Sequence, residues 1–125
     1  MSAPLLIGYD GTDGGEAALT EGLRLAKALG AEVVIGYAVH VNPMGGEVRD
    51  FAAALEEQAR AVLDKGVARA QQEGVPARGE LVRGRVRDAL SELASVVGAQ
   101  MIVVGPAPHR LIGRSPVPVL AVPGA

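Results

Sequence analysis

The sequence predicts an α/β domain: an open, parallel, five-stranded sheet with helices on both faces. Three observations carry that reading. Short apolar runs and longer amphipathic stretches alternate along the chain, as strand, helix, strand crossovers require. The runs are apolar at nearly every position, which marks strands covered on both sides. Apolar residues make up 49% of the chain but aromatic residues only 2%, with no Trp, so Ala, Val, Leu and Ile must build the core. At 125 residues there is room for one such core, and residues 1–125 are read as a single domain.

The first strand is Leu5-Leu6-Ile7-Gly8-Tyr9, ended by Asp10-Gly11. Asp13 is placed to cap the first helix, with Glu16 three positions on completing a capping box. Ala18, Gly22, Leu25, Ala26 and Leu29 recur at helical spacing before Gly30 ends the element. A second strand spans Val33 to Val41 and is broken by Asn42-Pro43. The longest helix follows Gly45-Gly46, with Phe51, Leu55, Ala59, Val62, Leu63, Gly66 and Ala70 on one face and Glu56 and Arg60 as an i,i+4 pair. Gly74 and Pro76 stop it. Residues 79–83 form a shorter, less apolar strand suited to a sheet edge, and Val86 to Val97 a third helix closed by Gly98. Met101 to Gly105 is the fourth strand and Val117 to Val122 the fifth, joined by a loop. Such alternation implies right-handed crossovers.

Composition removes several functions. Twelve basic against fourteen acidic residues give a net charge of −2, which argues against gripping nucleic acid by neutralising phosphates. The densest basic cluster, Arg83, Arg85 and Arg87, alternates with apolar residues near a helix start and is read as a solvated face. No apolar run approaches the roughly 18 residues of a membrane span. Met1 to Tyr9 lack a basic start and a long apolar stretch, so no signal peptide is expected. The absence of Cys removes disulfides, thiol catalysis and Cys-ligated zinc, and makes the cytoplasm the expected compartment.

Exact spacings remove more. There is no Gly-Lys pair for a phosphate-binding loop of the Gly-x4-Gly-Lys-Ser/Thr type. Gly8, Gly11, Gly14 and Gly15 do not give Gly-x-Gly-x-x-Gly, and Ser2, Ser91, Ser95 and Ser115 never sit in Gly-x-Ser-x-Gly. A phospho-accepting receiver needs an acid ending the third strand and a Lys ending the last, where this chain has Leu81-Val82-Arg83 and no Lys. His40 and His109 fall at the ends of strands two and four and are read as surface imidazoles, not metal ligands.

In order and spacing the chain resembles the universal stress protein family over nearly its whole length. Leu6-Ile7-Gly8-Tyr9-Asp10-Gly11-Thr12 is similar to that family's first strand and its Asp-Gly-Ser/Thr turn, and Gly30-Ala31-Glu32-Val33-Val34 to its entry to strand two. Val82-Arg83-Gly84 with Ala89 and Leu90, then Ala99 to Gly105, resemble its third strand and helix and its fourth strand. Ser115-Pro116-Val117-Pro118-Val119-Leu120 resembles its closing Ala-Pro-Cys-Pro-Val-Leu strand. The resemblance implies the strand order 3-2-1-4-5 and a crevice between the carboxyl ends of strands one and four, where open sheets of this type place ligands.

By position, the resemblance would set Asp10, Ala38, Val104 and Gly105 against a nucleoside. The family's phosphate loop, Gly-x2-Gly-x9-Gly-Ser/Thr, is not matched: counting from Gly105, its glycines fall on Pro108 and Pro118, which have no N–H to donate. The expectation is therefore a non-catalytic, universal-stress-protein-like regulatory protein that requires no cofactor and falls short of conventional ATP binding. The alternative is an adenine-nucleotide switch, for AMP or ATP, in which His109, Arg110 and Arg114 replace the lost amides, with a slow ATPase ranked last. The expected partners are a second copy, joined through the edge strand Val117 to Val122, and a protein whose identity the sequence does not give, with neither nucleic acid nor membrane.

Overall fold

Leu5, Leu6 and Ile7 are fully buried, and their successive side chains fall in two different cores. That is what a central strand does when helices cover both of its faces. The computed structural model describes residues 3–40, 48–106 and 109–124. In chain order the elements are β1 (Leu5–Gly8), α1 (Asp13–Leu29), β2 (Val33–Val39), α2 (Val48–Gln72), β3 (Ala77–Arg83), α3 (Val86–Val97), β4 (Met101–Val104), α4 (His109–Ile112) and β5 (Val119–Ala121). All strand pairs are parallel, in the order β3-β2-β1-β4-β5.

On one face Leu5, Ile7, Val33, Ile35 and Val103 pack against Ala18, Leu19, Leu23 and Ala26 of α1 and Leu63 and Ala70 of α2. On the other, Leu6, Val34 and Ile102 meet Leu90, Leu93 and Ala94 of α3 and Leu111 of α4. The chain starts at the centre of the sheet, builds outward to β3, and then crosses the sheet to β4. Its two halves therefore diverge at the carboxyl ends of β1 and β4.

Local chemistry corrects several sequence expectations. Thr12, not Asp13, is the N-cap of α1: its hydroxyl accepts from the Gly15 N–H at 3.2 Å. Asp10 fixes Thr12 for this task by accepting from its backbone N–H at 3.0 Å and from its hydroxyl. Glu16 does not close a capping box, because its carboxylate is taken by the Tyr9 hydroxyl and by Arg69. The buried stripe of α1 is Ala18, Leu19, Gly22, Leu23 and Ala26, whereas Leu29 is exposed. In α2, Phe51 lies outside the apolar face at 61% exposure, and Glu56 is gripped by two nitrogens of Arg83.

The connection after β4 is not wholly a loop. Residues 109–112 make one helical turn because Leu111, 4% exposed, is drawn into the α3-side core. The Arg114 and Ser115 N–H groups close that turn on the Leu111 carbonyl, at 3.0 and 2.8 Å. β5 is shorter than its apolar run. The Ser115 hydroxyl holds the carbonyl of Val117 at 2.7 Å and accepts from its N–H at 3.2 Å, turning that residue away from the ladder.

Candidate functional site

Where the two halves of the sheet part, the carboxyl ends of the strands open onto a crevice of about 1100 Å³. Its floor is small by design of the sequence. Gly8 and Gly36 lie side by side in the β1–β2 register. A Cβ on Gly8 would stand 3.0 Å from Leu90 and from Val104, so α3 packs directly over the backbone there. Asp10, Thr12, Gly14 and Gly15 approach from α1, Ala38 and His40 from β2, Arg85, Val86 and Arg87 from α3, and Val104, Gly105 and Pro106 from β4. The four residues expected against a nucleoside, Asp10, Ala38, Val104 and Gly105, are thus brought together.

Several groups on the α1 side of the crevice are already engaged. Asp10 accepts two bonds from Thr12, the Gly15 N–H goes to the Thr12 hydroxyl, and the Glu16 N–H reaches the Thr12 carbonyl at 2.8 Å. Asp13 adds a second carboxylate in the first turn. A Cβ on Gly15 would lie 2.4 Å from the Asp10 carboxylate oxygen, which shows how tightly the turn is folded over the helix start.

The β4 side is closed in the same manner. A Cβ on Gly105 would be 2.7 Å from the Gly14 carbonyl oxygen, so strand end and helix start touch backbone to backbone. Pro106 packs on Gly14 and has no N–H, and the Arg114 and Ser115 N–H groups are spent on Leu111. These three positions offer no free N–H to a chain of phosphates.

Of the residues expected to replace that loop, Arg114 is not among the described lining of the crevice; its Nε stands 3.7 Å from Asp88. His109 and Arg110 begin α4, but their side chains lie outside the described residues. His40 lines the crevice, and among the described residues no group of three potential metal ligands occurs.

Among the described residues, the guanidinium groups that line the site are those of Arg85 and Arg87, which sequence reasoning assigned to a solvated face. Arg85 occupies the N-cap position of α3 and makes no side-chain cap bond. The Arg87 Nε is closed off from solvent with no acceptor at hydrogen-bond distance, and its neighbour, Asp88 Oδ1, is 3.6 Å away. The available signal was position: a β3 paired to the carboxyl end of β2 delivers the next residues to the rim beside His40.

Comparison with known proteins follows the same lines. A universal stress protein family protein from Burkholderia pseudomallei is 29% identical with a TM-score of 0.86, covering 98% of this chain and 96% of its own. A universal stress protein solved in complex with cAMP is 27% identical at a TM-score of 0.79, covering 99% of this chain and 100% of its own. An Archaeoglobus fulgidus universal stress protein, in complex with dAMP, shares the fold at a TM-score of 0.80 and 22% identity over 97% of this chain and 98% of its own. No protein of curated function matches the sequence. The universal stress protein family model matches residues 1–123, from before β1 to beyond β5. With that match spanning nearly the whole chain and every strand of the sheet, the chain belongs to the universal stress protein family.

Proposed function

We propose that the protein is a non-catalytic, cytoplasmic regulatory member of this family that takes an adenine nucleotide with a short phosphate tail, such as AMP or cyclic AMP. One observation carries the reading. The nucleoside side of the crevice is whole, with Asp10, Ala38, Val104 and Gly105 around a glycine floor, while after β4 Pro106 has no N–H and the N–H groups of Arg114 and Ser115 are bonded to the Leu111 carbonyl. A triphosphate needs several convergent amides or cations, and a single phosphate needs far fewer. The cAMP bound by a relative at 27% identity supports the same ligand class. Asp10, the carboxylate among the described lining residues, is engaged by Thr12, which speaks for a regulatory site over a hydrolytic one. The cytoplasmic assignment rests on the absence of Cys.

The working unit is a homodimer joined at β5, the free edge next to β4. Isothermal titration with AMP, cyclic AMP, ADP and ATP tests the nucleotide reading. AMP and cyclic AMP are expected to bind, with no gain from the added phosphates of ATP. An ATP affinity more than tenfold tighter than that for AMP overturns it.

A further inference from the structure

After β4, Pro106 has no N–H to offer and those of Arg114 and Ser115 are bonded to Leu111, which gives side chains a part in meeting negative charge in the crevice, and the two rims differ in sign. On the α1 rim stands Asp10, and the N–H groups of Thr12, Gly15 and Glu16 already have acceptors. A phosphate there would meet the Asp10 carboxylate. On the α3 rim stand Arg85 and Arg87.

Arg87 is held in an unusual way. Its Nε is sealed from solvent without a hydrogen-bond acceptor, while the side chain as a whole keeps 32% of its surface exposed. The Asp88 carboxylate oxygen nearest to it is shared: it lies 3.6 Å from the Arg87 Nε and 3.7 Å from the Arg114 Nε. Both separations are too long for a hydrogen bond. One carboxylate thus stands between two guanidiniums and satisfies neither, and with Arg85 alongside the rim keeps an excess of positive charge. A guanidinium already stripped of part of its water, and short of acceptors, gains more from an incoming oxyanion than a freely solvated one does.

The geometry points to Arg87, with Arg85 beside it, as the anion-recognising side chain of the crevice. It takes the phosphate of a nucleoside monophosphate in place of the backbone loop, with Asp88 as its internal competitor. This inference rests on the nucleotide reading above and adds which groups read the charge. Its signature is the gap in affinity between AMP and adenosine, which share the nucleoside and differ in the phosphate.

Calorimetry with both ligands on the wild-type protein, Arg87→Gln, the Arg85→Gln/Arg87→Gln double variant and Asp88→Asn tests it. In the wild type, AMP is expected to bind at least about tenfold more tightly than adenosine, as a charge-assisted contact allows. That gap should shrink with added salt. Arg87→Gln should remove most of the gap, the loss falling mainly on AMP. Asp88→Asn should widen it several-fold, a gain that misfolding cannot produce. If the double variant keeps the full gap, the assignment to these arginines falls while nucleotide binding stands. If neither ligand binds the wild type, the nucleotide reading falls and this inference with it.

Discussion

Tyr9 sits where the first strand meets the first helix, with its ring buried and its hydroxyl donated to Glu16. Glu16 in turn pairs with Arg69 at 3.3 Å, which also donates to Thr20 at 2.7 Å and reaches Glu73 at 3.2 Å, so a polar chain ties α1 to α2 beside the core. Burial first, and then the hydrogen bond to Glu16, pushes the Tyr9 phenol from 10.0 up to about 12. The fold favours the neutral phenol, so the stability it contributes is whole below pH 10 and is lost as the pH climbs toward 12. Tyr9→Phe is expected to remove that part of the alkaline loss, read as urea midpoints across this range, with tyrosinate absorbance following the titration in the wild type. An identical alkaline profile in the variant would refute it. At this scale the sequence was half legible. Asp10 and Glu16 were recognised as belonging to a helix start, but the cap passed to Thr12 and Glu16 to Tyr9, because those choices depend on which groups the sheet brings near.

Elements with a long period were legible nearly to the residue. The apolar spacing of Val86 to Val97 and its closing Gly98 define α3 as observed, with Gly98 in the left-handed conformation at φ 66°. α4 was not legible, since four residues carry no period and the turn exists because Leu111 finds a place in a core made elsewhere. β5 lies between these cases. Its inner side is fixed by two bonds, from the Ile102 N–H to the Pro118 carbonyl at 2.9 Å and from the Val122 N–H to the Val104 carbonyl at 2.8 Å. By the alternation of a parallel ladder, the backbone groups of Val119 and Ala121 then face outward, where a second copy pairs in the proposed dimer. Ala121→Pro deletes an outward N–H and spares the inward bonds. Light scattering is expected to show a dimer for the wild type and a shift toward monomer for the variant, with the circular dichroism unchanged. A wild type that stays monomeric at every concentration would end the proposal.

For the molecule as a whole, two cores on opposite faces of one sheet make a rigid frame, and the crevice exists because the chain leaves the centre of the sheet in two directions. Its location was therefore readable once five parallel strands were in hand, but its charge was not. Arg85 and Arg87 reach the rim only through the pairing of β3 with β2, a contact remote in sequence from the Asp10 turn. A ligand that binds only the folded protein adds about 2.7 kcal/mol at a hundredfold excess over its Kd. In a chain of this length AMP at that excess should raise Tm by roughly 10 °C in a calorimetric scan. An unmoved transition would count against the crevice as a binding site.

The chain has no Trp and just two tyrosines, and both Tyr9 and Tyr37 border the crevice. Ultraviolet emission from this protein therefore originates almost wholly at the place where a nucleotide would settle. The molecule is its own optical probe, and occupancy can be followed without attaching a dye.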